Sequence, residues 1–128
     1  MMLFRADLMS KVLSGEKTQT RRLSGKYEVG KTYAVQPGRG KKAVARIRVL
    51  RVWLEDVRFI RLEDVYAEGF PTHKKFWTLW ATLHDKSVRI DPKWGELTIF
   101  AELFGRPAEF YEAWAIEFEL VRDEPAIS

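Results

Sequence analysis

The sequence predicts an α+β domain, a mostly antiparallel β-barrel flanked by two to three helices. Three observations lead there. Alternating, β-branched stretches separated by turn residues recur along the chain, as in small all-antiparallel barrels. Helical periodicity is confined to residues 6–14 and 62–83, so strands and helices are grouped rather than interleaved. The 128 residues, 46% of them apolar, suit one domain with its own core.

Met2-Leu3-Phe4 is short and apolar and reads as a first strand or barrel-closing segment. From Ala6 to Ser14, Leu8 and Val12, and Met9 and Leu13, stand at i,i+4, the spacing of a short amphipathic helix. Asp7 suits its positive N-terminal end, and Gly15 is placed to close it in the left-handed conformation. Thr18 to Leu23 then reads as a strand, with Thr18, Thr20 and Arg22 on one face and Gln19, Arg21 and Leu23 on the other. Lys17 sits at the corner between helix and strand. Ser24-Gly25-Lys26 is a turn, and Thr32 to Gln36 the next strand.

Pro37-Gly38-Arg39-Gly40-Lys41-Lys42 is a turn-rich basic loop whose tip should carry its charge outward. It lacks the Walker A spacing. It fits either a phosphate-following loop or a solvated hairpin that discourages edge pairing. Between Val44 and Leu54 the alternation changes phase: Ala45, Ile47 and Val49 share one face, Leu50, Val52 and Leu54 the other. A β-bulge or sharp bend near Val49-Leu50, of the kind that rounds a barrel corner, accounts for the change.

Leu62 to Glu68 fits two helical turns closed by Gly69. A clearer helix follows. Thr72 is its expected N-cap, and Phe76, Leu79, Trp80 and Leu83 form one apolar stripe read as core packing. Val88-Arg89-Ile90 reads as a short strand, and Gly95 to Gly105 is apolar but ambiguous between helix and strand until Pro107 stops it. Glu112 to Val121 closes the domain as a strand, with Trp114, Ile116, Phe118 and Leu120 inward and Ala113, Ala115, Glu117 and Glu119 outward. The tail from Arg122 to Ser128 carries no pattern.

Composition narrows the function classes. With no cysteine, disulfide-linked partners, thiolate metal sites and a cysteine nucleophile are excluded. His73 and His84 lie too far apart for an i,i+4 metal pair, so neither a metal nor a cofactor is expected. No run suggests a membrane span or a leader peptide, which points to a cytoplasmic protein. Asparagine is also absent, and its depletion beside abundant charge fits a protein from a hot environment, a thermophile. The net charge of +4 conceals a division, because residues 1–61 carry +10 and residues 62–128 carry −6. A basic half suits phosphate or nucleic acid, unless the two halves interleave in the fold and cancel.

The stretch from Gly15 to Arg22 concentrates the chemistry. Lys17 at a corner, with a threonine hydroxyl and an arginine on the next strand face, suits a small anionic or carbonyl-bearing ligand. Gly15, Lys17 and Arg22 have the spacing G-x-K-x-x-x-x-R, which resembles the signature of the ASCH domain, a small β-barrel family related to the RNA-binding PUA domains. The preceding helix, the Val29 to Val35 segment, the Ala67-Glu68-Gly69-Phe70 turn and the strand from Trp114 to Val121 follow in the family's order. The resemblance implies a PUA-like barrel over residues 1–121, with an insertion at 92–112 and a tail at 122–128.

It also implies RNA or a nucleoside- or nucleotide-like ligand as partner. Under that reading Lys17, Arg21 and Arg22 contact phosphate or a carbonyl edge, and Arg39, Lys41 and Lys42 follow the strand. One branch of the family is an amidohydrolase acting on N4-acetylcytidine with a signature lysine and threonine and a later glutamate. Lys17 and Thr20 stand at the matching positions, and Glu68 matches by its place before Gly69-Phe70. On that alternative Thr20 is the nucleophile, Lys17 its base, and Glu68 the proton donor to the leaving amine; as an enzyme, amidohydrolysis is expected ahead of ribonuclease activity. A third, architectural reading pairs Arg22 with Glu68, lets Thr20 satisfy the backbone and leaves Lys17 exposed.

Overall fold

A computed structural model describes residues 2–122; the tail residues 123–128 lie outside the described residues. The chain runs β1 (Met2–Leu3), α1 (Ala6–Ser14), β2 (Gln19–Arg22), β3 (Thr32–Gln36), β4 (Ala45–Asp56), α2 (Leu62–Ala67), α3 (His73–His84), α4 (Glu96–Phe104) and β5 (Glu112–Val121). One-turn 3₁₀ segments stand at Val57–Phe59 and Ala108–Phe110. The strands form one mixed sheet in the order β1-β3-β4-β5-β2, antiparallel throughout except for the parallel β1–β3 pair. It curls into a half-barrel beside four helices, an α+β fold with one helix more than expected.

Local signals act where they stand. Gly15 closes α1 at φ 85°, its amide bonded to the Val12 carbonyl. Thr72 caps α3 by accepting the Lys75 amide. In the long β4 strand the register against β5 shifts between Val49 and Arg51, so the phase change read from the sequence is a bulge. Beyond it only Val52 joins the core; Leu50 and Leu54 are exposed rather than inward.

Two clusters of buried side chains hold the domain. The half-barrel interior packs Phe4 and Met9 against Ile47, Val49, Ile116 and Phe118. The second cluster joins α2, α3 and α4 through Val65, Trp77, Trp80, Ile99, Leu103 and Tyr111. β5 serves both, which corrects the expected one-sided alternation. Ala113 and Ala115 are buried as fully as Ile116, and Ala113 joins the cluster that the helices build on the face opposite the half-barrel. Small side chains are what such a doubly covered strand accommodates.

The ambiguous stretch resolves as α4, its Ile99 and Leu103 buried against the neighbouring helices. Val88 and Ile90 form no strand; they pack on the helical cluster as part of an irregular segment. That segment is tied down by buried Asp85, which accepts from Arg106 Nε (3.0 Å) and Tyr111 Oη (2.8 Å). The division of charge along the sequence is partly cancelled in space. Arg48 and Arg51 of β4 pair with Glu119 and Glu117 of β5 at 3.2 and 3.1 Å. No helix among the described residues is long and apolar enough to cross a membrane.

Candidate functional site

The corner after α1 is anchored to the end of α2. The Thr18 amide donates to the Ala67 carbonyl (2.8 Å), and the Thr18 carbonyl accepts from the Phe118 amide (2.9 Å), which starts β2 on its pairing with β5. Lys17 is thereby driven inward and is 2% exposed, in contrast to the architectural expectation of a surface lysine. Gly69, at φ 94°, turns the chain after α2 and presents its carbonyl to Lys11 Nζ at 2.6 Å. Glu68 then lies directly over Lys17.

All three Lys17 ammonium donors have acceptors: Gln19 O at 2.8 Å, Glu68 O at 2.7 Å and Glu68 Oε1 at 2.9 Å. Burial pushes the Lys17 pKa below the usual lysine range, while attraction to the Glu68 carboxylate and the hydrogen bond Lys17 donates to it oppose the shift. The alternation of β2 sends Arg21 to the same side. Its guanidinium is bidentate to Glu55 (2.5 and 3.2 Å) and reaches Glu68 Oε2 (3.1 Å) and Gln19 Oε1 (3.0 Å). Burial opposes its charge, but the hydrogen bonds and attraction of Glu55 and Glu68 prevail and raise its pKa. The partner of Glu68 on β2 is therefore Arg21, where the architectural reading had placed Arg22.

Thr20 and Arg22 occupy the opposite face, as the sequence alternation requires. Arg22 Nε donates to Thr20 Oγ1 (3.3 Å) and Nη2 to the Leu3 carbonyl (2.6 Å), with the guanidinium 5.0 Å from the Phe4 ring centroid. No carboxylate pairs with Arg22 among the described residues, and burial lowers its pKa. Its Nη1 is left without an acceptor among them.

These groups border a pocket of about 310 Å³ between β2, the segment from Leu3 to Arg5, and α3. Lys17, Thr20, Arg21, Arg22 and Glu68 all line it, so the residues singled out in the sequence do converge. Arg21 does so with four of its five donors already hydrogen-bonded. Arg39, Lys41 and Lys42 are exposed on the loop between β3 and β4 and do not line the pocket. That loop nonetheless starts beside it, because the Gln36 carbonyl accepts from the Phe4 amide (3.0 Å).

The walls escaped sequence reading. Phe4, Leu8, Phe70, Leu79, Leu83 and His84 contribute them. The α3 stripe held the signal: all four of its residues line the pocket, Phe76 and Trp80 from within the core as expected and Leu79 and Leu83 from outside it, with Leu83 half exposed. Glu55 and Asp64, which hold Arg21 and Gln19, carry no local pattern that marks them.

The sequence matches no protein-family model and no curated protein. Its structure does have counterparts. An ASCH domain from Lactobacillus crispatus superposes with a TM-score of 0.61 at 16% identity over 93% of this chain and 78% of that one. A DUF984 protein from Enterococcus faecalis gives 0.60 at 14% identity, covering 99% and 84% of the two chains. An ASCH protein from Zymomonas mobilis, solved as a mutant with one tyrosine replaced by phenylalanine, gives 0.51 at 13% identity, covering 94% and 70%. The chain therefore has the α+β fold of the ASCH domain.

Proposed function

We propose that the pocket binds a single nucleotide-like unit, free or splayed from single-stranded RNA, and that the domain is a binding module. The observation that carries this reading is the division of labour among the pocket's polar groups. Lys17, Arg21 and Glu68 satisfy one another, while the Thr20 hydroxyl proton and Arg22 Nη1 remain to meet a ligand. The pocket volume of about 310 Å³ is at the lower end of the ~300–1,000 Å³ typical of small-molecule sites, room for one nucleoside and too little for a duplex. Sequence-reading RNA modules take unstacked bases in just this way. The fold shared with ASCH domains and the exposed basic loop beside the pocket support RNA as the polymer.

Amide hydrolysis is the second reading, favoured by one observation: burial lowers the Lys17 pKa in a pocket that also holds Thr20. As a free amine Lys17 would take the Thr20 proton while Thr20 attacks an acyl carbon, that proton would pass through Glu68 to the amine departing as the C–N bond breaks, and water would then hydrolyse the acyl-threonine. Against it, every Lys17 donor is directed to an oxygen, so no lone pair faces Thr20 in this arrangement.

Titration with a short single-stranded RNA and with nucleosides at low and high salt, alongside chromatography of N4-acetylcytidine incubations, separates the two. Binding predicts salt-sensitive affinity that Arg22→Ala abolishes and Thr20→Ala only weakens, with no cytidine released. Release of cytidine that Thr20→Ala eliminates would replace the binding reading with the hydrolase. Absence of both binding and release would end both.

A further inference from the structure

The two histidines have different fates. His73 Nε2 lies 2.8 Å from the Ile60 carbonyl, and its ring stands against Trp77, so it is engaged within the fold. His84, at the last turn of α3, lines the pocket and has no hydrogen-bond partner for either ring nitrogen among the described residues. Its ring is nonetheless held. It stands 4.2 Å from the Trp80 ring, centroid to centroid, and the Trp80 indole is itself fixed by donating to the Phe110 carbonyl at 2.9 Å. An imidazole that lines a cavity beside an anchored indole, with neither ring nitrogen engaged among the described residues, is positioned for a ligand.

We infer that His84 is a ligand-contacting, specificity-determining residue of this pocket, its ring hydrogen-bonding the bound unit from the α3 side while Thr20 and Arg22 hold it from β2. The inference rests on the binding reading above and adds to it the chemistry of the ligand. Thr20 Oγ1–H and Arg22 Nη1 are donors, so the edge they meet carries acceptors, a carbonyl or a ring nitrogen. A neutral imidazole offers one donor and one acceptor, so the edge facing His84 is polar rather than an alkyl chain. Burial, with Lys86 adding to it, lowers the His84 pKa and supports the neutral form. The nucleotide-like unit of the binding reading is thus one that presents acceptors toward the strand and a hydrogen-bonding polar edge toward the helix.

The test compares wild type with His84→Gln, His84→Phe and His84→Ala, using a short mixed-sequence single-stranded RNA and the free pyrimidine nucleosides as probes. Melting temperature is followed for each protein, and the His84 imidazole ¹H and ¹⁵N resonances are followed for the wild type. The expected result is an affinity loss of about tenfold in the Ala and Phe variants, with most affinity retained by Gln, and His84 ring signals that move on adding probe while those of His73 stay. Should a variant fail to fold, the wild-type ring signals decide. Wild-type binding with unmoved His84 signals, equal affinity in all variants, or retention by Phe but not by Gln overturns the inference and leaves the binding reading standing. Failure of the wild type to bind any probe overturns both.

Discussion

Arg22 Nη2 donates a 2.6 Å hydrogen bond to the Leu3 carbonyl, joining the two strands that lie at opposite ends of the sheet. β1 and β2 share no backbone ladder, so this side chain bridges the seam that keeps the sheet a half-barrel. The guanidinium reaches Thr20 with another nitrogen, a fork that a lysine cannot reproduce. Arg22→Lys is expected to cost about 1–3 kcal/mol in chemical denaturation. The Phe4 amide, bonded to Gln36, should also exchange its hydrogen faster. Unchanged exchange at Phe4 would show that the seam does not depend on Arg22.

Lys17 and Glu68 form a pair buried on both sides. Lys17→Met strips the donor from two carbonyls and a carboxylate, and Glu68→Gln leaves an ammonium without its countercharge. Each is expected to cost about 3–5 kcal/mol. The double variant should cost clearly less than the two together, since the second change removes the charge that the first stranded. Strict additivity in a denaturant double-mutant cycle would refute the pairing.

Asp85 makes acid stability predictable. Hydrogen bonds from Arg106, then Tyr111 and Ser87, outweigh burial and lower its pKa from 3.8 to about 2, and burial with the Asp85 contact pushes Tyr111 up. The folded pKa lies below the unfolded one, so the unfolded chain binds the proton first. The contribution is complete above about pH 4 and disappears as pH falls toward 2. The shift corresponds to about 2 kcal/mol. Urea unfolding of wild type and Asp85→Asn should give stability curves that converge over that interval. A constant gap between them would rule out this linkage.

The basic loop tests the polymer. Arg39, Lys41 and Lys42 are exposed and make no ion pair among the described residues. If each contacts one phosphate, replacing all three with Ala should reduce the slope of log affinity against log salt by about 2 and leave the melting temperature unchanged. A variant with the wild-type salt slope would place the strand elsewhere.

Much of this was legible in residue order because it is local. Helix α1, its Gly15 stop, the Thr72 cap and the β4 bulge depend on backbone preference or periodicity within a few residues, and each stands where the pattern put it. The gathering of Lys17, Thr20 and Glu68 at one pocket followed from a motif and its ordered context.

By itself the sequence determined the α+β class, the principal helices and which stretch carries the chemistry, since hydrophobic period and turn residues act through the nearest turn of chain. Tertiary structure alone decided the partners. Arg21 takes Glu68 from 47 positions away because β2 turns that face toward α2, Ala113 is buried because a helical layer covers that face of β5, and His84 meets the pocket because α3 is laid across it. Such choices are made by how faces pack, and neighbouring residues in a chain do not record which distant face will cover them.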